Sequence, residues 1–563
     1  MKIGFSFVFL GVMAALDNSM LAELLILDNG TIKVGVDTLY GGGITYLSQS
    51  GSTANLINSY DFGREVQQSY YSGPANFVPP GAIQNPQWSP WPWNPIQVGD
   101  SFGYQAEVLT YSNSGGTIYV RTRPTQWALR NYPGDCIMEQ WTALDGPAVR
   151  VNCKLTNQRT DHTQYPAYGQ ELPAVYGVGT LCHIFSYTGT APFTGDALTQ
   201  LPMAPPPNWT SWRATENWSA MVDSSNFGFG VHNPDSVFTG GGYSSSGNPC
   251  TGEPTDNNTT YISPQHIEVL DYNIVYEYDF NLIVGTLTSI RNWAYTHSID
   301  HRPDYHFENN RQHWYSTYGD SGVPSGFLRE NLNGADPSLI GPNTAFAASA
   351  CPRIYFAARY VMSSPPADPT ADLFWETNNS GGFSETRKQS VTVVPDGTWR
   401  VYSLDVGANP AWSGLISQLR LDPIQSGGPG DYVDIAGISY QNAFPELAFF
   451  MGEVSLGNGV YYLQFPNGTP FGYYSYLTDR RFIYHFDMGF EYWFDANNAD
   501  HGIFFYDFAS NHFFYTSPST FPYLYDFNLN AWLYYLPDAS NPGRYTHNPR
   551  WFYNFATGQW ITL

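Results

Sequence analysis

The chain has 563 residues, a formal net charge of -24, 13% charged side chains and 17% Phe, Trp and Tyr. Its length predicts several domains, and its negative charge argues against nucleic acid or an anionic membrane surface as a partner. The few charges, the many aromatic rings and the abundant Gly and Pro predict an all-β protein with many turns.

Residues 1–22 have the pattern of a secretory signal peptide. Lys2 precedes the apolar run GFSFVFLGVMAAL, which is too short to span a bilayer comfortably, and Ala22 supplies a small residue before cleavage. The alternative is an N-terminal membrane anchor. No later segment is apolar enough to cross a membrane, so we expect a secreted or cell-surface protein with no transmembrane segment after signal removal.

Residues 23–332 consist of short β-type runs, such as TIKVGVD, GTIYVRTRP and NIVYEYDFNLIVG, separated by Gly, Asn, Ser and Pro. Side chains alternate in character from Ile32 to Val36, which is typical of a strand with one buried face. No βαβ alternation is present to build a parallel sheet. We therefore predict a large antiparallel β-sandwich, which is the candidate catalytic or glycan-cleft domain.

Residues 333–445 contain strands at the spacing expected of a second sandwich. The runs IYFAARY, LFWET, GTWRVYSLDV and YVDIAGISY resemble the jelly-roll carbohydrate-binding modules that are appended to secreted polysaccharide-degrading enzymes. The first segment resembles, more loosely, the large β-sandwich of galactose-mutarotase-like and polysaccharide-lyase-associated domains. These resemblances imply a carbohydrate ligand, but they identify no catalytic residues.

Residues 446–563 are a repeat region. Copies of Tyr-x-Phe begin at Tyr484, Tyr506, Tyr525 and Tyr553. After a turn, a bulky aromatic residue follows each copy, at Trp493, Phe513, Trp532 and Trp560. The pattern predicts a row of stacked β-hairpins. Such repeats resemble aromatic hairpin modules that bind cell-surface or extracellular glycan; the alternative is that the rings only pack on one another.

The cysteines show no metal-binding spacing. They are Cys136, Cys153, Cys182, Cys250 and Cys351. Export would permit a disulfide, and Cys136 with Cys153 is the expected local pair. The odd count leaves at least one thiol free unless it pairs between chains.

The stretch from Tyr60 to Asp100 combines charged groups, amides and tryptophans with many prolines, which exclude a regular strand or helix. Flat rings cover the C–H face of a sugar, while amides donate to and accept from its hydroxyls. We therefore predict a carbohydrate cleft. Its substrate-binding residues are expected to be Asp61, Arg64, Gln67, Gln68, Tyr70, Trp91, Trp93, Asn94 and Gln97. The alternative for Asp61 and Arg64 is a simple ion pair at a loop entrance.

Two glutamates are candidates for acid–base catalysis. Glu171 lies in YGQELPAVYG, where aromatic neighbours give the low-dielectric surroundings that suit a general acid. Glu216 lies in WTSWRATENWSAMVD, where Trp212 is expected to contact substrate. Together the two would supply the carboxylates of glycoside hydrolysis. The alternative for Glu171 is a buried carboxylate paired with an arginine.

The segment IDHRPDYHFENNRQHWY carries a third group. Asp300, His301 and His313 are expected to bind substrate, and a Tyr or His base beside neutralising groups would suit proton abstraction from a uronate, the lyase reaction. The spacing of His301 and His306 is not that of a HExxH zinc site. The alternative is an interdomain strap that joins the first and second segments.

No phosphate-binding, dinucleotide-binding or nucleophilic-serine motif occurs, and we expect no cofactor and no catalytic metal. Asp422, Asp431 and Asp434 are weak candidates for a structural calcium site. The leading hypothesis is a secreted polysaccharide-degrading glycoside hydrolase, with a polysaccharide or cell-surface glycan as its partner. The alternatives are a polysaccharide lyase and a non-catalytic glycan-binding or structural surface protein.

Overall fold

A computed structural model describes residues 23–202, 208–245, 247–308, 310–317, 327–334, 336–442, 444, 449–465, 467–477, 481–496, 498 and 500–563. The predicted signal peptide, residues 1–22, lies outside the described residues. Strands make up 48% of the structure and helices 4%, and the sheets are antiparallel. This confirms the all-β prediction.

The first part of the chain, up to residue 286, builds two large sheets. Its strands are β1 Leu24–Asp28, β2 Ile32–Asp37, β3 Gly43–Gln49, β4 Val66–Ser69, β5 Pro95–Ile96, β6 Glu107–Ser114, β7 Thr117–Arg123, β8 Thr125–Gln126, β9 Cys136–Asp145, β10 Ala148–Asn157, β11 Tyr168–Val178, β12 His183–Ser186, β13 Thr199–Gln200, β14 Asn208–Arg213, β15 Trp218–Val222, β16 Phe227–His232, β17 Phe238–Ser244, β18 Thr259–Glu268 and β19 Val275–Thr286. One sheet runs β1-β2-β3-β4-β11-β18-β17-β14, with β5 on β4 and β8 on β5; the other runs β13-β12-β15-β16-β19-β10-β9-β7-β6.

The two sheets pack face to face around one core. Val36 and Val175 come from the first sheet, and Val151, Phe229 and Leu282 come from the second; all are buried in one cluster. Alternate residues of β10 and β19 are buried, as expected of strands that cover a core with one face. The predicted large antiparallel sandwich is therefore present.

Among the described residues the structure has one α-helix, α1 Leu287–Thr296. Thr286 caps it, since its side chain accepts a hydrogen bond from the Ser289 amide. Ile290 and Trp293 pack on Trp218 of β15, so α1 covers the outer face of the second sheet. Short 3-10 turns lie at Thr38–Tyr40, Pro86–Trp88, Ala348–Ala350 and Val406–Ala408. No helix in the described ranges is long and apolar enough to cross a membrane.

A second pair of sheets follows. Its strands are β20 Asp304–His306, β21 Tyr315–Ser316, β22 Leu328–Asn331, β23 Leu339–Ile340, β24 Phe346–Ala347, β25 Ile354–Val361, β26 Thr370–Thr377, β27 Lys388–Thr392, β28 Arg400–Leu404, β29 Leu415–Asp422 and β30 Tyr432–Ser439. One sheet runs β20-β30-β25-β28 with β22 on β30, and the other runs β21-β23-β29-β26-β27 with β24 on β29. Phe356 and Trp375 meet in their shared core. The pair takes in strands before the predicted start at residue 333; its jelly-roll connectivity stays a prediction.

The last part of the chain is one sheet in which each strand pairs with the next. Its strands are β31 Val454–Gly457, β32 Val460–Gln464, β33 Pro470–Tyr476, β34 Phe482–His485, β35 Gly489–Asp495, β36 Ile503–Asp507, β37 His512–Thr516, β38 Tyr523–Asp526, β39 Ala531–Tyr535, β40 Trp551–Asn554 and β41 Gln559–Thr562. This confirms the hairpin array.

The repeat has a physical cause in the residue between Tyr and Phe. The buried side chains of Asp507, Asp526 and Asn554 accept hydrogen bonds from amides of the turn that follows them. In the first copy the ring that faces Tyr484 across the hairpin is Phe490, while Trp493, the aromatic residue named from the sequence, is buried. In the other three copies the aromatic residue named from the sequence is the one opposite the tyrosine: Phe513, Trp532 and Trp560.

The predicted disulfide between Cys136 and Cys153 is wrong. Both thiols are buried and free, and the disulfide joins Cys182 to Cys250. Cys136 lies opposite Asn157, whereas Cys153 lies opposite Gln140. This offset of four residues is about 13 Å along the strand, which is beyond the reach of a disulfide.

Candidate functional site

Glu171 lies on β11, at the point where the pairing of β11 with both neighbouring strands shifts register. A bulge of this kind re-aims the side chains on either side of it. Leu172 and Val175 point into the sandwich core, whereas the Glu171 carboxylate is half-buried. The local fold therefore places a carboxylate at the edge of solvent in the middle of a wide sheet.

Two phenols hold the Glu171 carboxylate. The Tyr261 hydroxyl donates to Oε1 at 2.6 Å, and the Tyr71 hydroxyl donates to Oε2 at 2.9 Å. Burial, and after it the charge of Glu171, raises the pKa of both phenols well above the usual range. Both hydroxyls therefore stay protonated at neutral pH and remain donors. Each carboxylate oxygen keeps a further lone pair for a ligand.

Aromatic rings extend on both sides of this carboxylate. On one side Tyr71 contacts Trp91, with ring centroids 6.1 Å apart, and Trp91 contacts Trp88 at 5.0 Å. On the other side Tyr261 contacts Tyr176 at 4.5 Å and Trp209 at 4.9 Å. We call these six residues the aromatic platform: Tyr71, Trp88, Trp91, Tyr176, Trp209 and Tyr261.

The platform is open to solvent at its ends. Trp209 is 51% exposed, and Trp88, Trp91 and Tyr176 are half-buried. These rings lie next to one another around the hydrogen-bonded Glu171 carboxylate. A contiguous patch of exposed apolar surface marks an interaction site. A sugar ring that stacks on them would remove this apolar surface from water.

Two of the predicted binding residues border the platform. Asp61 and Arg64 form an ion pair with a distance of 3.5 Å between Nε and Oδ2, and the Arg64 guanidinium also donates to the Asn257 main-chain oxygen at 2.8 Å. Burial, then the charges of Glu171 and Asp61, raises the pKa of Tyr176. The Tyr176 amide donates to the main-chain oxygen of Glu65, the residue after Arg64, at 2.9 Å, which places this ion pair beside the platform.

Gln265 was not predicted, although it lies directly opposite Glu171 on β18. Its amide lies over Gly240 and Gly169: a Cβ added at these glycines would come 2.7 Å and 3.2 Å from the amide atoms. No described residue hydrogen-bonds this amide. An amide with free donors and acceptors beside a carboxylate is the type of group that hydrogen-bonds a sugar hydroxyl. The sequence could have indicated Gln265, because side chains at every second position of a strand lie on the same face, and Tyr261 and Gln265 therefore share one face of β18.

Most of the predicted amides and rings of the 60–100 stretch instead hold the structure together. Gln67 and Gln68 form part of β4, so this part of the stretch is a strand, contrary to prediction. Gln67 donates to the Arg64 main-chain oxygen at 2.7 Å, and Trp93 donates to Asp135 at 2.7 Å. The buried residues of this group are Gln67, Gln68, Tyr70, Trp93, Asn94, Gln97 and, on β14, Trp212. Their side chains are enclosed by protein in this structure.

Glu216 is fully buried and its carboxylate is occupied. Oε1 accepts from Arg291 at 3.1 Å and from Tyr295 at 2.7 Å, and Oε2 accepts from Trp218 at 3.1 Å. It joins α1 to the second sheet, whereas Glu171 belongs to the first. The two carboxylates share no hydrogen-bond partner among the described residues and belong to different sheets of the sandwich.

Asp300, His301 and His313 line a separate cavity of about 500 Å³ between the first sandwich and the second pair of sheets. Asp300 accepts two hydrogen bonds from Arg302 at 3.0 and 2.8 Å. Burial lowers the pKa of His301 to about 4, and burial also lowers the pKa of His313. Both imidazoles are therefore mainly neutral at pH 7. Asp235, which also lines this cavity, was not predicted; an isolated aspartate after a strand gave no signal.

The three candidate calcium ligands serve different protein partners. Asp434 binds Arg329 and Arg359, Asp422 binds Arg420, and Asp431 accepts from Ser363. In the described part of the chain, the one group of potential metal ligands is Cys182, His183 and Cys250. Its two sulfurs form the disulfide, so this group has no thiolate to offer a metal.

No protein-family model matches the chain, and no curated protein matches it. Among solved structures it is similar to a galactose mutarotase related enzyme from Lactobacillus acidophilus (11% identity, 46% of this chain, 97% of that chain, TM-score 0.32). It is also similar to a galactose mutarotase-like protein from Lactobacillus casei (10%, 46%, 100%, 0.30). A 4-alpha-glucanotransferase from Thermococcus litoralis matches over 47% of this chain and 39% of that chain, with 11% identity and a TM-score of 0.25. At these scores the similarity carries no functional assignment.

Proposed function

We propose that this protein binds neutral glycan along the aromatic platform and hydrolyses it, with Glu171 as the general acid. The observation that carries the proposal is the Glu171 carboxylate, held by the hydroxyls of Tyr71 and Tyr261 at the centre of a run of partly exposed rings. Rings for stacking, a carboxylate for proton transfer and an unpaired amide at Gln265 are the groups that a sugar site needs.

Hydrolysis requires a second carboxylate. Glu216 does not fill this role, because it is buried against Arg291 and Tyr295. Asp61 is an exposed carboxylate at the border of the platform, and its charge, like that of Glu171, raises the pKa of Tyr176. We therefore assign Asp61 as the second carboxylate of the proposed reaction.

A second candidate function is glycan binding without turnover. The Glu171 carboxylate, held by the hydroxyls of Tyr71 and Tyr261, would also serve as an anchor for sugar hydroxyls without any proton transfer. Elimination from a uronate has less support. Arg302, the one arginine of the cavity that holds His301 and His313, is already paired with Asp300, and further acids line the same cavity.

Export is part of the proposal. The disulfide between Cys182 and Cys250 is of a kind that persists in oxidising compartments, which agrees with the expected signal peptide. A secreted or cell-surface location would bring the platform to extracellular glycan.

The test is to incubate the chain from residue 23 with neutral and uronate-containing polysaccharides, while reducing ends and ultraviolet absorbance are followed together. We expect new reducing ends from a neutral polymer without new absorbance. Binding without reducing ends would favour the non-catalytic function. New absorbance would mean elimination and would overturn the proposal.

A further inference from the structure

The cavity between the first sandwich and the second pair of sheets is distinct from the aromatic platform. Its lining includes Asp235, which follows β16, His313, residues 299–302, 304 and 305, and Tyr440. Its volume of about 500 Å³ is within the range of small-molecule sites, which occur preferentially where structural units meet.

Several polar groups of this cavity have no partner among the described residues. The Nε2 atom of His301 is buried without a hydrogen bond. The Tyr305 hydroxyl has no hydrogen bond to the described residues. The nearest charged partner of the Asp235 carboxylate is His313 Nε2 at 3.9 Å, which is too far for a hydrogen bond. Buried polar groups are normally satisfied, so the unpartnered His301 nitrogen indicates a polar ligand. The partly exposed side chains of Tyr305 and Asp235 add a hydroxyl and a carboxylate to the same cavity.

The cavity is acidic. Asp300 and Arg302 neutralise each other, and the guanidinium lies over the Tyr440 ring at 4.1 Å. Asp235 and Asp304 remain without an arginine or lysine partner in the described part of the chain. Because burial keeps His301 and His313 mainly neutral at pH 7, the cavity carries a net negative charge. It repels a uronate and attracts a cation.

We propose that this cavity is a binding site for an amino sugar, whose ammonium group pairs with Asp235 and whose hydroxyls bond His301 and Tyr305. The neutral imidazole accepts from or donates to a hydroxyl according to its tautomer, and the phenol does both. The site is independent of the platform and of Glu171, so either proposal can fail without the other.

Binding of four monosaccharides at pH 7 tests this proposal by isothermal titration calorimetry: glucosamine, N-acetylglucosamine, glucose and glucuronate, with putrescine as a linear diamine. We expect glucosamine to bind at least tenfold more tightly than each of the others. Acetylation removes the positive charge, glucose lacks it, glucuronate reverses it, and putrescine lacks the hydroxyls.

The test variant is Asp235→Asn, which keeps the shape of a partly exposed side chain. It should weaken glucosamine binding at least tenfold and leave the thermal midpoint unchanged. The matched control is Asp405→Asn, at an exposed aspartate outside the cavity, which should bind as the parent does. Equal binding of glucosamine and N-acetylglucosamine, tighter binding of glucuronate or putrescine, no glucosamine binding, or no effect of Asp235→Asn would each overturn the proposal.

Discussion

Tyr261 donates a hydrogen bond of 2.6 Å to Oε1 of Glu171 from the neighbouring strand β18, across 90 positions of sequence. On the other side, Tyr71 donates to Oε2 across 100 positions. Because burial keeps both phenols protonated, the carboxylate is oriented before a ligand arrives. Preorganised groups of this kind are what acid–base catalysis on a sugar requires.

Glu171→Gln should lower the rate of hydrolysis by about 10²-fold or more, since general acid–base groups contribute about 10²–10⁴-fold. The amide has the same shape, so glycan affinity should change little. Steady-state rates and calorimetric affinities on the polymer found active above would separate the two effects. Tyr261→Phe should lower the rate by about tenfold through the lost hydrogen bond. An unchanged rate in Glu171→Gln would remove the assignment.

Trp209→Ala should weaken binding of a neutral oligosaccharide by about 1 kcal/mol, roughly fivefold, because a stacking surface is lost. Its side chain is 51% exposed, so the variant should unfold at the same thermal midpoint as the parent. Phe102→Ala is the matched control, since this ring is 38% exposed outside the platform. Equal affinities for the two variants, measured by affinity electrophoresis, would argue against the platform.

Loss of the disulfide in Cys182→Ser should destabilise the first sandwich by about 4 kcal/mol, as expected for a cross-link that closes a loop of this size; the sequence separation is 68. The urea midpoint should fall. Alkylation of the denatured, unreduced chain should label Cys136, Cys153 and Cys351 only. Labelling of Cys182 or Cys250 would contradict the pairing.

A buried ion network joins the second pair of sheets to the hairpin array. Arg359 of β25 donates to Asp434 at 2.8 Å and to Glu453 at 3.1 Å, and Glu453 accepts from the Tyr474 hydroxyl. Arg359→Met should cost about 3 kcal/mol or more, because it leaves buried carboxylates uncompensated.

The control for this prediction is Arg353→Met. Its guanidinium is 57% exposed and lies 4.0 Å from Asp405, and exposed pairs of this kind contribute little. Urea midpoints of the two variants should therefore differ clearly. Similar midpoints would mean that the network does not stabilise the contact between the second pair of sheets and the hairpin array.

His232 gives a pH prediction. Burial is the main cause that lowers its pKa from 6.5 to about 4, and the neighbouring His297 and His301 add to the effect. The unfolded chain takes up this proton near pH 6.5, whereas the folded chain resists it. The stabilising contribution of the neutral imidazole is therefore present above pH 6.5 and lost as the pH falls towards 4.

This contribution is measured as the difference in unfolding free energy between the parent and His232→Gln. It should shrink by roughly 3 kcal/mol between pH 7 and pH 4, while carboxylates that titrate in the same range cancel in the difference. His547→Gln, at an exposed imidazole, should show no such change. A difference that is constant with pH would contradict the prediction.

The local patterns predicted the fold well. Alternating apolar and polar side chains predicted the strands of the sandwich, and the Tyr-x-Phe repeat predicted the hairpins. Both patterns are local, because each extends over only one or two strands. The sequence pattern did not reveal the role of the residue between Tyr and Phe; the structure shows Asp507 and Asp526 buried and bonded to the amides of the turns that follow them.

Glu171 of the candidate site was proposed from its aromatic neighbours in the sequence, and its role stays a prediction. Tyr71, Tyr261 and Gln265 come close to it through strand pairing, which sequence spacing does not contain. Nothing in the sequence indicated that Glu216 is bonded to Arg291, because the two residues lie 75 positions apart. Gln67 and Trp93 were predicted to bind substrate, and the structure shows both bonded to protein. The sequence cannot separate these cases, because an amide or an indole has the same hydrogen-bonding groups in both.

The most direct test is a crystal structure of the chain from residue 23 soaked with a neutral oligosaccharide that it binds. The account predicts a sugar ring stacked on Trp209 or Trp91, with a hydroxyl or glycosidic oxygen within hydrogen-bond distance of Glu171. An oligosaccharide bound only to the hairpin array or only in the cavity at Asp235, with the platform bare, would contradict it.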